Sequence, residues 1–152
     1  MAKTKSAALK APASALIIRP YKAADRKRLV ALWEACGLTR PWNPPDRDIE
    51  LCVKSRHGAI LVGELDGRLA AAAMVGHDGH RGWVYYVAAD PQHQRQGLGA
   101  AIMAAAEAWL QKRKVPKIML LIRPENKKVA RFYKSLGYEI EPRILMSKRF
   151  AE

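Results

Sequence analysis

Cysteine is scarce in this 152-residue chain, which holds only Cys36 and Cys52. Two thiols cannot build the disulfide framework of a small secreted domain, and both fall in apolar helical patterns, as buried free thiols of a reducing compartment do. Long apolar runs are missing too. Although 49% of the residues are hydrophobic, no stretch approaches the roughly 20 that a membrane-spanning helix needs. No secretory signal opens the chain, and no internal repeat runs through it. Acids are outnumbered, with 14 Asp and Glu against 27 Lys and Arg. The resulting net charge of +13 calls for an anionic partner, whether nucleic acid, membrane surface or an anionic ligand.

The length suits one domain. Residues 1–15 are mostly Ala, Lys and Ser, contain no acid and carry no period that could build a core. They read as a disordered basic tail before a domain over 16–152. A transit peptide would also be poor in acids, but richer in Arg and amphipathic, so a cytoplasmic location is expected. The positive charge gathers toward the other end, with twelve Lys and Arg against three acids between Lys112 and Arg149. A polyphosphate ligand or a larger polyanion would each use it.

A short β-branched run at 16–20 reads as a strand ended by Pro20. Asp25 is the expected N-cap of a helix bearing Leu29, Leu32, Trp33 and Cys36 and stopping at Gly37. The prolines at 41, 44 and 45 exclude regular structure over 40–45, and Asp46 is expected to cap a second helix carrying Ile49, Cys52 and Val53. From Ala59 the period becomes that of strands, 59–65 and 68–75, around the hairpin dipeptide Asp66-Gly67. A turn at 77–80 leads to a strand over 83–89. Then follow an Ala-rich helix over 98–113 facing inward with Ile102, Met103, Ala106, Trp109 and Leu110, a strand over 117–122, a helix over 126–136 closed by Gly137, and a terminal strand or strands over 138–149. The order is β-α-α-β-β-β-α-β-α-β.

The segment between the strand at 83–89 and the Ala-rich helix is the informative one. A helix N-terminus offers free amides and a positive dipole end, and glycines let a phosphate approach them. Gln94-Arg95-Gln96-Gly97-Leu98-Gly99 has no Gly-Lys-Ser/Thr and no third glycine at position 102, so it is neither a Walker loop nor a dinucleotide fingerprint. By itself it could also be a plain turn before a helix. The hexapeptide resembles the Gln/Arg-x-x-Gly-x-Gly/Ala signature of the GNAT acetyltransferases, whose amides hold the pyrophosphate of CoA. Asn126 and Phe132-Tyr133-Lys134-Ser135-Leu136-Gly137-Tyr138 resemble that family's second signature, and the resemblance extends from about Leu16 to the C-terminus. Leu32-Trp33-Glu34, Arg40-Pro41-Trp42-Asn43, Asp78-Gly79-His80-Arg81-Gly82 and Tyr85-Tyr86 are similar to a bacterial subgroup of it.

The resemblance implies a mixed α/β fold, a central, mostly antiparallel sheet with two splayed parallel central strands flanked by helices. It implies acetyl-CoA as cosubstrate and direct attack by a primary amine of a small molecule or of a protein N-terminus or lysine. Gln94, Arg95, Gln96, Gly97, Leu98 and Gly99 would then bind the cofactor together with Val87, Ala88, Ala89, Asn126 and Tyr133. The Val87 amide would polarise the thioester carbonyl, and Tyr133 would protonate the leaving thiolate. Histone-type relatives carry a glutamate where this chain has Trp83, so the base is open among His80, Asp78 and a water chain. Arg40, Trp42 and Asn43 lie on the loop where the family forms acceptor pockets, unless they only anchor that loop. His77 and His80 lack further ligands for a metal, and none is expected. Nucleic acid is not an expected partner, because no aromatic-rich RNA-binding motif accompanies the charge. The rival is a non-catalytic module of the same fold that meets nucleic acid or the ribosome through its basic surface. The acceptor and the oligomeric state, a homodimer included, are not legible.

Overall fold

Short apolar runs bounded by turns form five strands in the computed structural model, which describes residues 15–93 and 95–151. The expected tail, apart from Ala15, lies outside the described residues, as does Gln94. The strands are β1 (Ile17–Pro20), β2 (Gly58–Leu65), β3 (Arg68–His77), β4 (Gly82–Ala89) and β5 (Ile118–Met119). Helical spacing gives α1 (Arg26–Ala35), α2 (Pro45–Lys54), α3 (Leu98–Lys112) and α4 (Lys127–Ser135). These fall into two compact units, one through Leu120 and one from Leu121 onward.

The first unit holds one sheet in the order β1-β2-β3-β4-β5. Its first three pairings are antiparallel and the last, β4 with β5, is parallel. The Asp66-Gly67 turn has positive φ at both residues, 52° and 74°, the geometry whose twist suits a two-residue hairpin. Alternation along the strands separates two faces. Ile60, Val62, Leu69 and Ala72 pack with Leu29, Leu32 and Trp33 of α1 and Ile49 of α2. Ala71, Ala73 and Val75, of opposite parity to Ala72 and fully buried, face α3, whose Ile102, Met103, Ala106 and Leu110 are buried in turn, and the register shift between Leu69 and Ala71 puts Leu69 on the face of Ala72. Trp109 is only half-buried, its ring capped by the Arg113 guanidinium at 3.5 Å.

Asp25 holds the expected N-cap position of α1 but its side chain makes no capping bond there, and Asp46 is not a cap. Asp25 sits in a 3-10 turn over Ala23–Asp25. Its carboxylate accepts from Arg19 at 2.7 and 2.9 Å, Arg28 at 2.7 Å and the Lys22 amide at 2.8 Å. A buried carboxylate gains more from two guanidinium groups than from one capping amide. Asp46 lies inside α2, which starts on Pro45, a residue suited to a position whose amide would have no partner. Cys36 and Cys52 are free and half-buried, and burial pushes both thiols up, as in unreactive cysteines.

The second unit contains α4 and the chain after it. The residues expected as terminal strands, 138–149, form no strand within that unit. Strands are made by pairing, and the unit's one helix offers no ladder.

Candidate active site

β4 and β5 pair at only two positions, Gly82 with Ile118 and Trp83 with Met119. β4 then runs on to Ala89, six residues beyond its last pair with β5. On its other edge the register with β3 slips, with Ala72 opposite Ala88 but Met74 opposite Tyr85, so Tyr86 and Val87 together face Ala73. This is a β-bulge, and Tyr86 holds it in a left-handed conformation, φ 51°, that costs a non-glycine residue energy. The bulge also switches faces. A Cβ on Gly82 would lie 2.5 Å from Leu110 of α3, whereas Tyr86 and Ala88, of the same parity, pack with the α1 cluster.

Three contacts hold the turned ring. Tyr86 stacks on Trp33 at 4.0 Å, its hydroxyl donates to Asp48 Oδ2 at 2.6 Å, and Asn43 Nδ2 donates to the same hydroxyl at 2.9 Å. Asn43 also donates to Asp48 Oδ2 at 2.8 Å. Burial, then the bond to and charge of Asp48, raise the Tyr86 phenol well above its ordinary value, against the Asn43 amide. The Trp33 indole N–H is buried without a partner among the described residues, a cost that functional sites often carry. Sequence reasoning passed over Asp48 and Tyr86 as site residues. The available signal was the polar Asn43 to Asp48 segment, five residues apart, beside a proline-shaped loop.

Beyond β4 the chain turns toward α3. Asp90 accepts from the Gln92 amide at 2.9 Å and pairs with His93 Nδ1 at 3.1 Å. The Gln92 amide, helped by His93, holds its carboxyl below the usual range against burial. Arg95 and Gly97 adopt left-handed φ of 64° and 73°, and no side chain among the described residues caps α3. A Cβ built on Gly97 meets nothing within 4 Å. The exposed residues 95–97, a helix start whose N-cap is Gly97 and open space at that glycine make a cradle that fits a phosphate group.

The other expected residues divide. Arg40 donates to the Gly37 and Thr39 carbonyls, both at 2.8 Å, and so ties its own loop. Trp42 is 62% exposed. Asp78 accepts from the amides of His80 at 2.9 Å and Arg81 at 2.7 Å and from Trp83 Nε1 at 3.2 Å. Those donors, Arg81 first, hold its carboxyl down to about 2. His80 is exposed on that turn, at the paired end of β4. At about 3.3 Å per residue that end is roughly 16 Å along the strand from Val87.

In the second unit, Asn126 caps α4 by accepting from the Val129 amide at 3.4 Å, a role not expected of it. Tyr133 follows seven residues later and so shares its helix face. Its side chain is 7% exposed, and burial pushes the phenol up to about 12.

The acetyltransferase (GNAT) family model matches residues 26–138. Acetyltransferases of Pectobacterium atrosepticum and Sodalis glossinidius are each 37% identical to this chain, covering 89% of it and 96% of the relative. One from Yersinia enterocolitica is 36% identical, covering 87% of this chain and 94% of its own. Among solved structures, AAC(6')-Iy in complex with the bisubstrate analogue CoA-S-monomethyl-acetylneamine superposes with a TM-score of 0.74 at 18% identity, covering 91% of this chain and 100% of that one. An acetyltransferase of Trypanosoma brucei gives 0.70 at 18% identity, covering 89% and 100%. At such identity the two structures speak for the fold alone.

Proposed function

Because the chain belongs to the GNAT acetyltransferase family and is an acyltransferase, we propose that it transfers the acetyl group of acetyl-CoA to a primary amine by direct attack. The observation that carries the reading is the uncapped start of α3 behind a left-handed Gly97 with free space around it, following a strand that bulges and parts from its parallel neighbour. The amides of 95–99 bind the pyrophosphate. Val87, Ala88 and Ala89, beyond the last residue of β4 paired with β5, receive the pantetheine arm. The amide of Val87, set by the bulge, stabilises the charge that builds on the thioester oxygen. Asn126, whose Oδ1 caps α4, keeps its side-chain N–H groups for the arm. Tyr133 gives its proton to the departing thiolate, which a phenol held near 12 can do at any physiological pH.

The acceptor amine must lose a proton. Asp78 is a weak base at about 2 with both oxygens engaged, and His80 stands on the same turn at the far end of β4 from Val87, so a water chain does that work. Arg40, Trp42, Asn43 and Asp78 shape the approach to the site. The bisubstrate analogue on a neighbour of the same fold supports an amine as acceptor. An acceptor screen with acetyl-CoA and thiol detection tests the reading. Turnover with an amine is expected, and tight acetyl-CoA binding without turnover on any amine class would leave a binding module instead.

A further inference from the structure

A half-buried carboxylate beside the β4 bulge, that of Asp48, forms no ion pair among the described residues of its unit. Asp48 Oδ2 takes two neutral donors, the Tyr86 hydroxyl at 2.6 Å and the Asn43 amide at 2.8 Å, neither of which cancels its charge. Its helix neighbours Asp46 and Glu50 share Arg26 at 3.5 and 3.4 Å, while no ion pair among the described residues of its unit includes Asp48. The chain has 27 Lys and Arg, yet none of those described in this unit pairs with Asp48. Partly removing a carboxylate from water without a counter-ion is unfavourable, and an incoming ammonium would reverse that cost. Two observations place the charge at a working position. Tyr86, which holds it, immediately precedes Val87 in the bulge, and Asn43, which also holds it, immediately follows the exposed ring of Trp42.

We propose that Asp48 is the counter-charge for the acceptor, and that the acceptor carries at least two amines. The inference rests on the acyl-transfer reading and narrows it. A carboxylate stabilises the protonated form of an amine it touches, and an ammonium has no lone pair with which to attack a thioester. The amine held by Asp48 is therefore the recognition group, and a second amine of the same molecule is the nucleophile. Tyr86 and Asn43 are positioning residues that aim the carboxylate. Trp42 offers a ring face for a cation or for the chain bearing it. The substrate class is a small di- or polyamine.

The test compares a diamine with its monoamine equivalent, cadaverine against pentylamine, and adds spermidine, measuring thiol release from acetyl-CoA. The parent is expected to prefer the diamine by roughly 10- to 100-fold in kcat/KM, the range of one charge-assisted hydrogen bond. Asp48→Asn, which keeps acceptors for Tyr86 and Asn43, should raise KM for the diamine until the preference is about threefold or less, with kcat and the acetyl-CoA Kd little changed. Asp48→Glu should restore part of the preference. Equal use of both amines by the parent, or a preference that survives in folded Asp48→Asn, overturns the proposal. If no amine is turned over, calorimetry with spermidine decides, and failure of the parent to bind it at millimolar concentration overturns the proposal as well. Loss of acetyl-CoA binding in the parent would instead strike the acyl-transfer reading, a separate outcome.

Discussion

The amide of Tyr138 donates to the carbonyl of Tyr133 across 3.0 Å, and their rings meet edge to face at 5.5 Å. Between them the Gly137 amide donates to the Lys134 carbonyl at 3.0 Å from a backbone with φ 91°. The paired bonds and the ring contact make a Schellman closure of α4. The Gly-Tyr that ends the second signature is thus the device that finishes the helix turn bearing Tyr133.

Gly137→Ala follows directly. A Cβ there meets nothing within 4 Å, so the cost is the left-handed backbone alone, about 1–2 kcal/mol. A thermal melt should show a lowered Tm. An unchanged Tm would mean that the closure adds nothing to stability.

The Arg19, Arg28, Asp25 and Glu64 network sets an acid limit. Arg19 above all holds Asp25 far below the usual carboxylate range, and Arg19 likewise lowers Glu64. A depressed folded pKa adds stability that is complete above the unfolded value near 4 and is lost as the pH falls through the folded value. Asp25→Asn should therefore cost about 2–3 kcal/mol at neutral pH, less than a fully orphaned buried pair because Arg19 keeps Glu64. The difference from the parent in urea midpoint should shrink progressively below about pH 4. A difference that stays constant from neutral pH into that range would assign the effect to packing.

Apolar runs and turn chemistry made most of this fold legible, because strands 59–65 and 68–75 flank an Asp-Gly turn and the Ala-rich helix has a clear apolar stripe. The bulge was not legible. Tyr86 is a β-favouring residue inside a regular run, and only the fixed ring stack with Trp33 and the bond to Asp48 make its left-handed backbone tolerable. Those partners lie 53 and 38 residues away in sequence, beyond any local pattern. Asp25 and Asp46 misled for a related reason, since a capping residue type reports on the helix start only when no stronger partner competes for it.

Gly67 and Gly97 give a matched pair for testing the phosphate cradle. Their φ values are 74° and 73°, and neither would bring a Cβ within 4 Å of another atom. Gly67→Ala and Gly97→Ala should thus lose similar stability, about 1–2 kcal/mol each. Only Gly97→Ala should weaken CoA, by roughly tenfold or more in Kd if the methyl keeps the pyrophosphate from the amides. Equal CoA affinity in the two variants by calorimetry would move the phosphate site away from the start of α3.

Tyr133→Phe separates a proton donor from a core aromatic. The Phe ring keeps the edge contacts with Phe132 at 5.0 Å and Tyr138 at 5.5 Å, so Tm and CoA affinity should change little. Burial holds the parent phenol at about 12, so it remains protonated through the working range and adds no falling limb to the pH–rate profile below that value. If its proton goes to the thiolate as the carbon–sulfur bond breaks, removing the hydroxyl should slow the chemical step by roughly 10²-fold. Single-turnover measurement with a responsive amine exposes that step, since slow release of product can hide it in kcat. A Phe variant within about twofold of the parent under those conditions would take Tyr133 out of the mechanism and leave its ring to close α4 against Tyr138.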